Sequence, residues 1–418
     1  MNTTTAQRPF LAPAQRTPAA GKAVQALLKH LAHGQLTVHW PDGTTQTAGQ
    51  PSTPSAQLHA TLVLHNWSPC EAALRSGDIG FAESFIAGDW TSPDLPALLQ
   101  LLSANRKTLD SLIFGHWAAR TWHRVRHWLN RNTKANSRKN IHAHYDLGND
   151  FYRLWLDPTM NYSSAWFEGA KPSDNPADNS SDLVAAQHAK VSRVLDMAGV
   201  QAGSRVLEIG CGWGALAEKA GQRGASVTGV TLSTEQLGFA RNRLYDAGLA
   251  TQADLRLQDY RDIQDEPFDA ICSVEMVEAV GQAYWPTYFG TVSRLLKSGG
   301  KACIQSIVIR DDLFERYVQS SDFIQQYIFP GGCLPSPQAL RQQANAQGLE
   351  VVDEMAFGID YAETCRLWRQ RFLAQRDAVM ALGFDDRFMR TWEFYLAYCE
   401  AGFRTGDVDV VQYTLAKA

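Results

Sequence analysis

The sequence lacks the features of a membrane-spanning or secreted protein. It contains no run of eighteen uncharged apolar residues, and its N-terminus has no apolar segment of the kind that a signal peptide needs. It also lacks an excess of positive charge, because the formal net charge is -4 over 418 residues. Nucleic-acid-binding proteins usually carry such an excess, so we expect a cytoplasmic protein without a nucleic-acid partner.

Cysteine is scarce, and its spacing argues against two kinds of site. The seven cysteines are Cys70, Cys211, Cys272, Cys303, Cys333, Cys365 and Cys399. Because no two of them form a CxxC pair, the sequence supports neither a zinc site nor a disulfide framework, and we predict reduced thiols and no metal. Hydrophobic residues make up 45% of the chain, enough to fill the cores of two or three domains.

The N-terminal part of the chain is predicted to form a small α+β domain. Residues 1–22 read as a disordered tail, and the domain covers residues 23–116. An amphipathic helix over 23–34 precedes two strands around a Pro-Asp-Gly turn and a third strand near residues 60–67. Helical spacing over residues 68–102 is interrupted by glycines and prolines, which indicates several short helices. These interruptions are Gly77, Gly80, Gly88, Pro93 and Pro96.

A basic, aromatic segment over residues 117–139 follows this domain. It contains seven lysines and arginines and no carboxylate: Arg120, Arg124, Arg126, Arg131, Lys134, Arg138 and Lys139, with Trp117, Trp122, Trp128 and Leu129 between them. One interpretation is a helix that lies on an anionic membrane surface, peripheral on the inner face of the membrane. The alternative is a solvated basic linker. An RNA-binding helix is disfavoured, since no nucleic-acid module follows.

Residues 140–418 are predicted to form a Rossmann-like domain. From Ser204 onward, short apolar strands alternate with amphipathic helices, a pattern typical of a doubly wound α/β sheet with helices on both faces. A last strand, "VDVVQYTLAK", would complete a class I methyltransferase sheet in antiparallel orientation. An aromatic-rich insert at about 310–335 lies where such sheets bind ligands. Its aromatic residues are expected either to line an acyl tunnel or to form ordinary core.

The stretch "EIGCGWG" predicts a cofactor-binding turn between a strand and a helix. Gly210, Gly212 and Gly214 allow a ligand to approach the backbone closely, and Glu208 lies two residues before them. A dinucleotide site favours GxGxxG and an acid at the end of the second strand. Here the spacing is GxGxG and the second strand ends in "GVTLSTEQ", so the turn favours S-adenosylmethionine over NAD.

The chain resembles the cyclopropane-fatty-acyl-phospholipid synthase family. The resemblance rests on "HYDLGNDFYRLWLDPTMNYSSAW", "VLEIGCGWG", "GVTLSTEQ", "LQDYRD", "MVEAVG", "YIFPGGCLPS" and "FGIDY". It implies S-adenosylmethionine contacts from Tyr162, Ser163, Gly210, Gly212, Thr231, Leu232, Gln236 and Asp259. It also implies a bicarbonate ion that acts as the base, held by Glu278, Tyr361 and the backbone of Ile307.

Three positions depart from the family pattern. Ser164 stands where the family usually has cysteine, Gln305 where it has histidine, and Ala279 where it has a second histidine. Ser164 and Gln305 can still hydrogen-bond an anion, so we place both at the predicted catalytic site. The substitutions are either drift with unchanged activity or a sign that the reaction ends differently.

The resemblance implies methyl transfer to the cis double bond of an unsaturated phospholipid acyl chain, which forms a cyclopropane. One alternative is the same transfer without ring closure, giving a methyl- or methylene-branched chain. A second is a non-catalytic lipid-binding protein, and a third is methylation of a small polar metabolite. Whether the chain forms a homodimer is left open.

Overall fold

The structure of the protein is a computed structural model that describes residues 16–50, 58–113, 147–172 and 179–417. The chain divides into two compact units, Met1–His116 and Trp117–Ala418. Most of the predicted disordered tail lies outside the described residues. The predicted end of this tail, at residue 22, is wrong, because the first helix begins at Ala19. The basic segment 117–139 also lies outside the described residues.

The first unit contains a four-stranded sheet and four described helices. The helices are α1 (Ala19–Leu28), α2 (Ser68–Ala87), α3 (Leu95–Ala104) and α4 (Arg106–Ile113), and the strands are β1 (Gln35–His39), β2 (Thr45–Gly49), β3 (His59–Leu64) and β4 (Trp90–Thr91). The sheet order is β2-β1-β3-β4, with β1 antiparallel to β2 and parallel to β3. Leu36, Val38 and Leu62 alternate with more exposed residues and are buried, so one face of the sheet forms the core.

The helices of the first unit follow most of the predicted interruptions. α2 is kinked at Gly77, which has φ 60° and ψ -134°, and it ends at Gly88 in the left-handed conformation. α3 begins with Pro96 in its first turn. Gly80 does not interrupt α2. An added Cβ there would lie 2.2 Å from the Ala72 carbonyl oxygen, so this glycine permits close packing instead.

The second unit is an α/β domain. Its helices are α5 (Asn149–Arg153), α6 (Asn179–Met197), α7 (Ala215–Gln222), α8 (Thr234–Asp246), α9 (Val277–Val280), α10 (Trp285–Leu295), α11 (Asp311–Val318), α12 (Phe323–Tyr327), α13 (Pro337–Ala346), α14 (Gly358–Ala374), α15 (Arg376–Ala381) and α16 (Asp386–Thr405). Its strands are β5 (Arg205–Ile209), β6 (Ser226–Thr231), β7 (Ala253–Leu257), β8 (Phe268–Val274), β9 (Leu296–Ile309), β10 (Leu349–Ala356) and β11 (Val408–Lys417).

The seven strands form one sheet in the order β10-β11-β9-β8-β5-β6-β7. Neighbours from β9 to β7 are parallel, and β11 is antiparallel to both β9 and β10. The predicted antiparallel orientation of the last strand is therefore confirmed. The sequence analysis missed β10, which lies beyond β11 at the edge of the sheet. β11 is thus an internal strand.

Apolar side chains cover both faces of this sheet. On one face, the strands pack against α10 and α13 through residues such as Phe289 and Leu340. On the other face they pack against α6, α7 and α8 through residues such as Val194 and Leu244. Helices on both faces of a mostly parallel sheet confirm the predicted doubly wound fold. This fold leaves the carboxyl ends of the parallel strands open for a site.

The insert at 310–335 forms the short helices α11 and α12. Phe314 and Tyr317 pack against the apolar core, and Phe323 is fully buried with its ring 4.9 Å from that of Phe394. Residues 310–335 are all described. None of them lines the cavity that the domain forms at the carboxyl ends of its parallel strands. Of the two alternatives for these aromatic residues, the structure favours ordinary core for these three.

The described residues contain neither a helix suited to cross a membrane nor a cluster suited to bind a metal ion. No helix in these ranges is both long and apolar enough to cross a membrane. The same ranges hold no cluster of histidine, cysteine and carboxylate side chains that could bind a metal ion. All seven cysteines lie in the described part of the chain as unpaired thiols.

Candidate active site

The glycine-rich turn connects β5 to α7. Gly210, Gly212 and Gly214 have positive φ values of 87°, 48° and 85°. An added Cβ at Gly210 would lie 2.4 Å from Met276, and one at Gly214 would lie 2.9 Å from Ala240, so these two glycines permit close packing. At Gly212, no atom of the described residues lies within 4 Å of an added Cβ. The turn therefore leaves open space beside its middle glycine.

A cavity lies beside this turn at the carboxyl ends of β5, β6 and β8. Nine of the ten predicted cofactor-binding residues line it: Tyr162, Ser163, Glu208, Gly210, Gly212, Thr231, Leu232, Gln236 and Asp259. Gly214 is the exception, because it packs against α8 instead. The strand ends of a doubly wound sheet are where such folds bind ligands. The structure thus brings the nine residues together, and their contact with a cofactor stays a prediction.

Polar side chains at the ends of β6 and β7 hold each other in place. The Thr231 hydroxyl donates to Gln236 Oε1 at 3.1 Å, and Ser233 caps α8 by accepting the Gln236 backbone N–H at 3.2 Å. Asp259 accepts two hydrogen bonds from the Arg261 guanidinium, at 2.8 and 2.6 Å. These side chains are ordered before a ligand arrives, which lowers the entropic cost of binding.

A buried lysine that the sequence analysis did not single out also lines the cavity. Lys190 on α6 is 1% exposed, and its Nζ donates to the Ser163 hydroxyl at 2.5 Å. One turn earlier, the Gln187 amide donates to the Ser163 carbonyl at 2.9 Å. Burial lowers the pKa of Lys190 to about 8, and the nearby Glu275 carboxylate opposes this shift. In the sequence, the three-residue spacing of Gln187 and Lys190 indicates that both lie on one face of a helix.

Three of the five predicted catalytic residues converge on Glu275, which was not predicted from the sequence. Its Oε1 accepts the Ser164 backbone N–H at 2.9 Å and the Gln305 amide at 2.8 Å. Its Oε2 accepts the Tyr361 hydroxyl at 2.7 Å. The available signal was an acid directly after β8, three residues before Glu278 in "VEMVEAVG". The structure therefore places a protein carboxylate at the centre of the predicted catalytic set.

Glu275 combines a strained backbone with a half-buried carboxylate. Its φ is 54°, in the left-handed region that residues with a Cβ rarely adopt and that costs about 1–2 kcal/mol. Burial raises the pKa of its carboxyl, while the hydrogen bonds from Tyr361 and Ser164 and the charge of Lys190 oppose that rise. Strain and a perturbed carboxyl at one position are typical of a functional residue.

A second buried carboxyl, Glu278, lies on α9. Its Oε1 accepts the Ile307 backbone N–H at 2.5 Å, and its Oε2 has no hydrogen-bond partner among the described residues. Burial and the charge of Glu275 raise the pKa of Glu278 to about 8. Because three donors surround Glu275, the negative charge is best accommodated there, and Glu278 is largely protonated at neutral pH.

The hydrogen-bond donors around the predicted bicarbonate position are already engaged. They are the backbone N–H groups of Ser164 and Ile307 and the side chains of Gln305 and Tyr361. Three of them bond to Glu275 and one to Glu278. An added anion would lie beside the Glu275 carboxylate without a donor from these four groups, which is unfavourable in a buried site. The residues therefore do not fit a bound bicarbonate.

Ser164 contributes to this site differently from the prediction. We expected its hydroxyl to replace the family's cysteine, but the hydroxyl donates to the Ala165 carbonyl at 2.8 Å. Only its backbone N–H reaches Glu275. Ala279, in place of the family's second histidine, lines the cavity.

Tyr162 lines the cavity, and buried aromatic rings pack behind it. The rings of Tyr152, Trp155 and Trp368 have centroids 5.4, 5.4 and 5.5 Å from that of Tyr162. The Tyr162 hydroxyl shares a 2.7 Å hydrogen bond with the Tyr395 hydroxyl, which anchors the ring. Ring faces attract positive charge, so the Tyr162 ring suits a cationic ligand.

The sheet order, the glycine turn after β5 and the cavity at the strand ends define a class I S-adenosylmethionine-dependent methyltransferase. Within that class, a sequence profile described as mycolic acid cyclopropane synthetase matches residues 132–413. The chain belongs to this family, which confirms the resemblance seen in the sequence.

Individual relatives agree with this assignment. The tuberculostearic acid methyltransferase of Mycobacterium tuberculosis is 42% identical over 98% of this chain and 95% of its own length. The cyclopropane-fatty-acyl-phospholipid synthase of Escherichia coli is 34% identical over 82% of this chain and 84% of its own. A mycolic acid cyclopropane synthase solved with S-adenosylhomocysteine superposes with a TM-score of 0.61 at 31% identity, over 67% of this chain and 98% of its own.

Proposed function

We propose that the enzyme transfers a methyl group from S-adenosylmethionine to the double bond of an unsaturated phospholipid acyl chain, and that Glu275 then removes a proton. The observation that carries this proposal is the Glu275 carboxylate, which is half-buried and accepts hydrogen bonds from three predicted catalytic groups. It lies where the resemblance implies an external base, so the chain supplies the base itself.

The reaction sets distinct tasks for the residues. S-adenosylmethionine supplies an electrophilic methyl group, and the alkene π electrons form the new carbon–carbon bond, which leaves a carbocation on the other alkene carbon. The Tyr162 ring, which lines the cavity and is held by the rings behind it, stabilises positive charge there. The Glu275 carboxylate accepts the proton that the cation loses, and the electrons of the broken C–H bond remain in the product.

We propose an acyclic product, a methyl-branched alkene that forms when the carbocation loses a proton from a neighbouring carbon of the acyl chain. Ring closure requires the base to take a proton from the newly added methyl group. Glu275 is tied to the cavity wall by three hydrogen bonds, so it cannot follow that group as a bound ion would. The relative that matches nearly the whole chain, at 42% identity, is named for methyl transfer and not for cyclopropane formation. A cyclopropane product is the second candidate, favoured by the 34% identical synthase.

The test is turnover and product structure with anionic vesicles that contain a monounsaturated phospholipid. We expect Glu275→Gln to lower the rate of S-adenosylhomocysteine release by about 100-fold or more, because the amide cannot accept the proton. Affinity for S-adenosylhomocysteine should stay within about threefold. The exposed Glu350→Gln is the matched control.

The outcomes separate the proposals. Product that takes up hydrogen on mild hydrogenation is an alkene, whereas a cyclopropane resists hydrogenation. Normal turnover by Glu275→Gln with an unchanged product would remove Glu275 from the mechanism. A ring as the main product of the unmodified enzyme would favour the second candidate.

We further propose that the reaction occurs at an anionic membrane surface on the cytoplasmic side. The support is the basic, tryptophan-containing segment 117–139 and the phospholipid in the name of the Escherichia coli relative. Replacing the anionic vesicles with neutral ones should lower the rate in a salt-dependent way. Equal rates on both kinds of vesicle would contradict this part of the proposal.

A further inference from the structure

We infer that Gln412 and Arg193 are positioning residues that hold the Gln305 amide with its N–H group toward Glu275. This inference rests on the proposed role of Glu275 as the base. Three side chains from three different elements form a line of hydrogen bonds that ends on the Glu275 carboxylate. We name Arg193, Gln412 and Gln305 the amide relay.

The amide relay runs from α6 across β11 and β9. Gln305 on β9 and Gln412 on β11 are direct partners in the antiparallel pairing, and both are fully buried. The Arg193 guanidinium donates to Gln412 Oε1 at 2.8 Å, Gln412 Nε2 donates to Gln305 Oε1 at 3.1 Å, and Gln305 Nε2 donates to Glu275 Oε1 at 2.8 Å. At the outer end, Arg193 forms an ion pair of 2.9 Å with Asp353 on β10.

The chemistry of the two ends determines the direction of the relay. A guanidinium only donates hydrogen bonds, so Gln412 must turn its oxygen toward Arg193 and its N–H group toward Gln305. An ionised carboxylate only accepts, so Gln305 must turn its N–H group toward Glu275. Both ends require the same orientation of both amides. A reversed amide would bury like groups against each other, which is unfavourable.

The consequence is that Gln305 presents a fixed donor to the ionised base. A donor to the ionised form lowers the pKa of a carboxyl, and the Gln305 bond opposes the rise that burial causes at Glu275. The other titratable groups that face Glu275 are Lys190 from α6, Glu278 from α9, Tyr361 and Cys365 from α14 and Cys399 from α16. A neutral substitution of Gln412 changes the charge of none of these groups, and it also removes the 3.4 Å hydrogen bond from Gln412 Nε2 to the Lys190 carbonyl.

The test is a double-variant cycle read out by the pH dependence of kcat. Gln412→Met keeps a similar volume and removes the groups that orient Gln305 without adding charge. We expect the acidic limb of the profile to move up by about 0.5–1 pH unit, because the base loses part of its fixed donor. Gln305→Met should move it by at least as much. The double variant should shift it no further than Gln305→Met alone, because the relay reaches Glu275 through the Gln305 amide.

Two further variants complete the design. The exposed Gln342→Met is the matched control and should leave the limb in place. Arg193→Met disturbs the far end of the relay, and we expect a smaller shift in the same direction. It also serves if Gln412→Met fails to fold, as judged by thermal unfolding and S-adenosylhomocysteine binding.

Failure of the relay is distinguishable from failure of the proposed function. If Gln412→Met and Arg193→Met leave the limb within about 0.2 pH unit, or if the shifts of the double variant add fully, the relay is overturned. Loss of turnover in Glu275→Gln would leave the proposed function intact in that case. Normal turnover in Glu275→Gln overturns both proposals.

Discussion

At the residue scale, the carboxylate at the centre of the site is Glu275, which the sequence motifs did not indicate. The motif "MVEAVG" draws attention to Glu278, but Glu278 bonds to one backbone N–H and has a pKa raised to about 8. Glu275, three residues earlier, accepts hydrogen bonds from Tyr361, Gln305 and the Ser164 backbone N–H. The hydrogen-bond partners therefore decide which acid is charged, and a motif does not record them.

Gly212 provides a residue-scale test of the cofactor cavity. Gly212→Val should weaken S-adenosylhomocysteine binding by about 100-fold or more, because the side chain would enter space that the described residues leave open beside the turn. Calorimetry measures this affinity directly. Gly248→Val is the matched control, since Gly248 also has a positive φ, of 72°, with open space around it, but lies outside the cavity lining. Equal loss in both variants would mean that backbone strain alone explains the effect.

At the scale of elements, α6 supports the site along one face. Gln187, Lys190 and Arg193 are spaced by three residues, so they lie on one side of the helix. The first two hold Ser163, and the third begins the amide relay. A single helix thus links the predicted cofactor residues to the proposed base.

Lys190 is the element-scale test of this arrangement. Lys190→Met should weaken S-adenosylhomocysteine binding by about tenfold, because Ser163 loses its donor and the buried carboxyls nearby lose their counter-charge. The exposed Lys301→Met is the control and should bind normally. Unchanged affinity in Lys190→Met would assign the lysine to packing alone.

At the scale of the whole molecule, buried carboxyls make the folded state sensitive to alkaline pH. Burial raises the pKa values of Glu208 and Glu278 to about 8 from their ordinary 4.5. The folded protein therefore binds protons more tightly than the unfolded chain between these values. The stability that these groups contribute is fully present below about pH 4.5 and is lost as the pH rises through about 8.

Glu278→Gln tests this pH dependence. We expect the unfolding free energy of the unmodified protein to fall between about pH 5.5 and 8.5, and the variant to lose less, by about 1–3 kcal/mol. Urea unfolding at both pH values measures the difference. Glu350→Gln should behave like the unmodified protein, since Glu350 is exposed. An identical fall in Glu278→Gln and the unmodified protein would show that Glu278 ionises freely in the folded state.

The sequence by itself determined the local parts of this protein. The strand-to-helix alternation, the turn at Gly210, Gly212 and Gly214 and the kink at Gly77 depend on residues a few positions apart, and side-chain period and backbone sterics act at that range. β10 escaped notice because its alternating pattern, "LEVVDEMA", contains three acids.

Only the tertiary structure decided which side chains of the site contact each other. Tyr361 bonds to Glu275, which is 86 positions away in the sequence, and Gln412 bonds to Gln305, which is 107 positions away. These meetings depend on the register of β9 against β11 and on where α14 packs, which no local spacing encodes. The Ser164 hydroxyl bonds locally to the Ala165 carbonyl, whereas long-range contacts bring the Ser164 backbone N–H, Gln305 and Tyr361 to Glu275. Which groups touch is set by the packing of distant elements, because a side chain's partner is chosen in space and not along the chain.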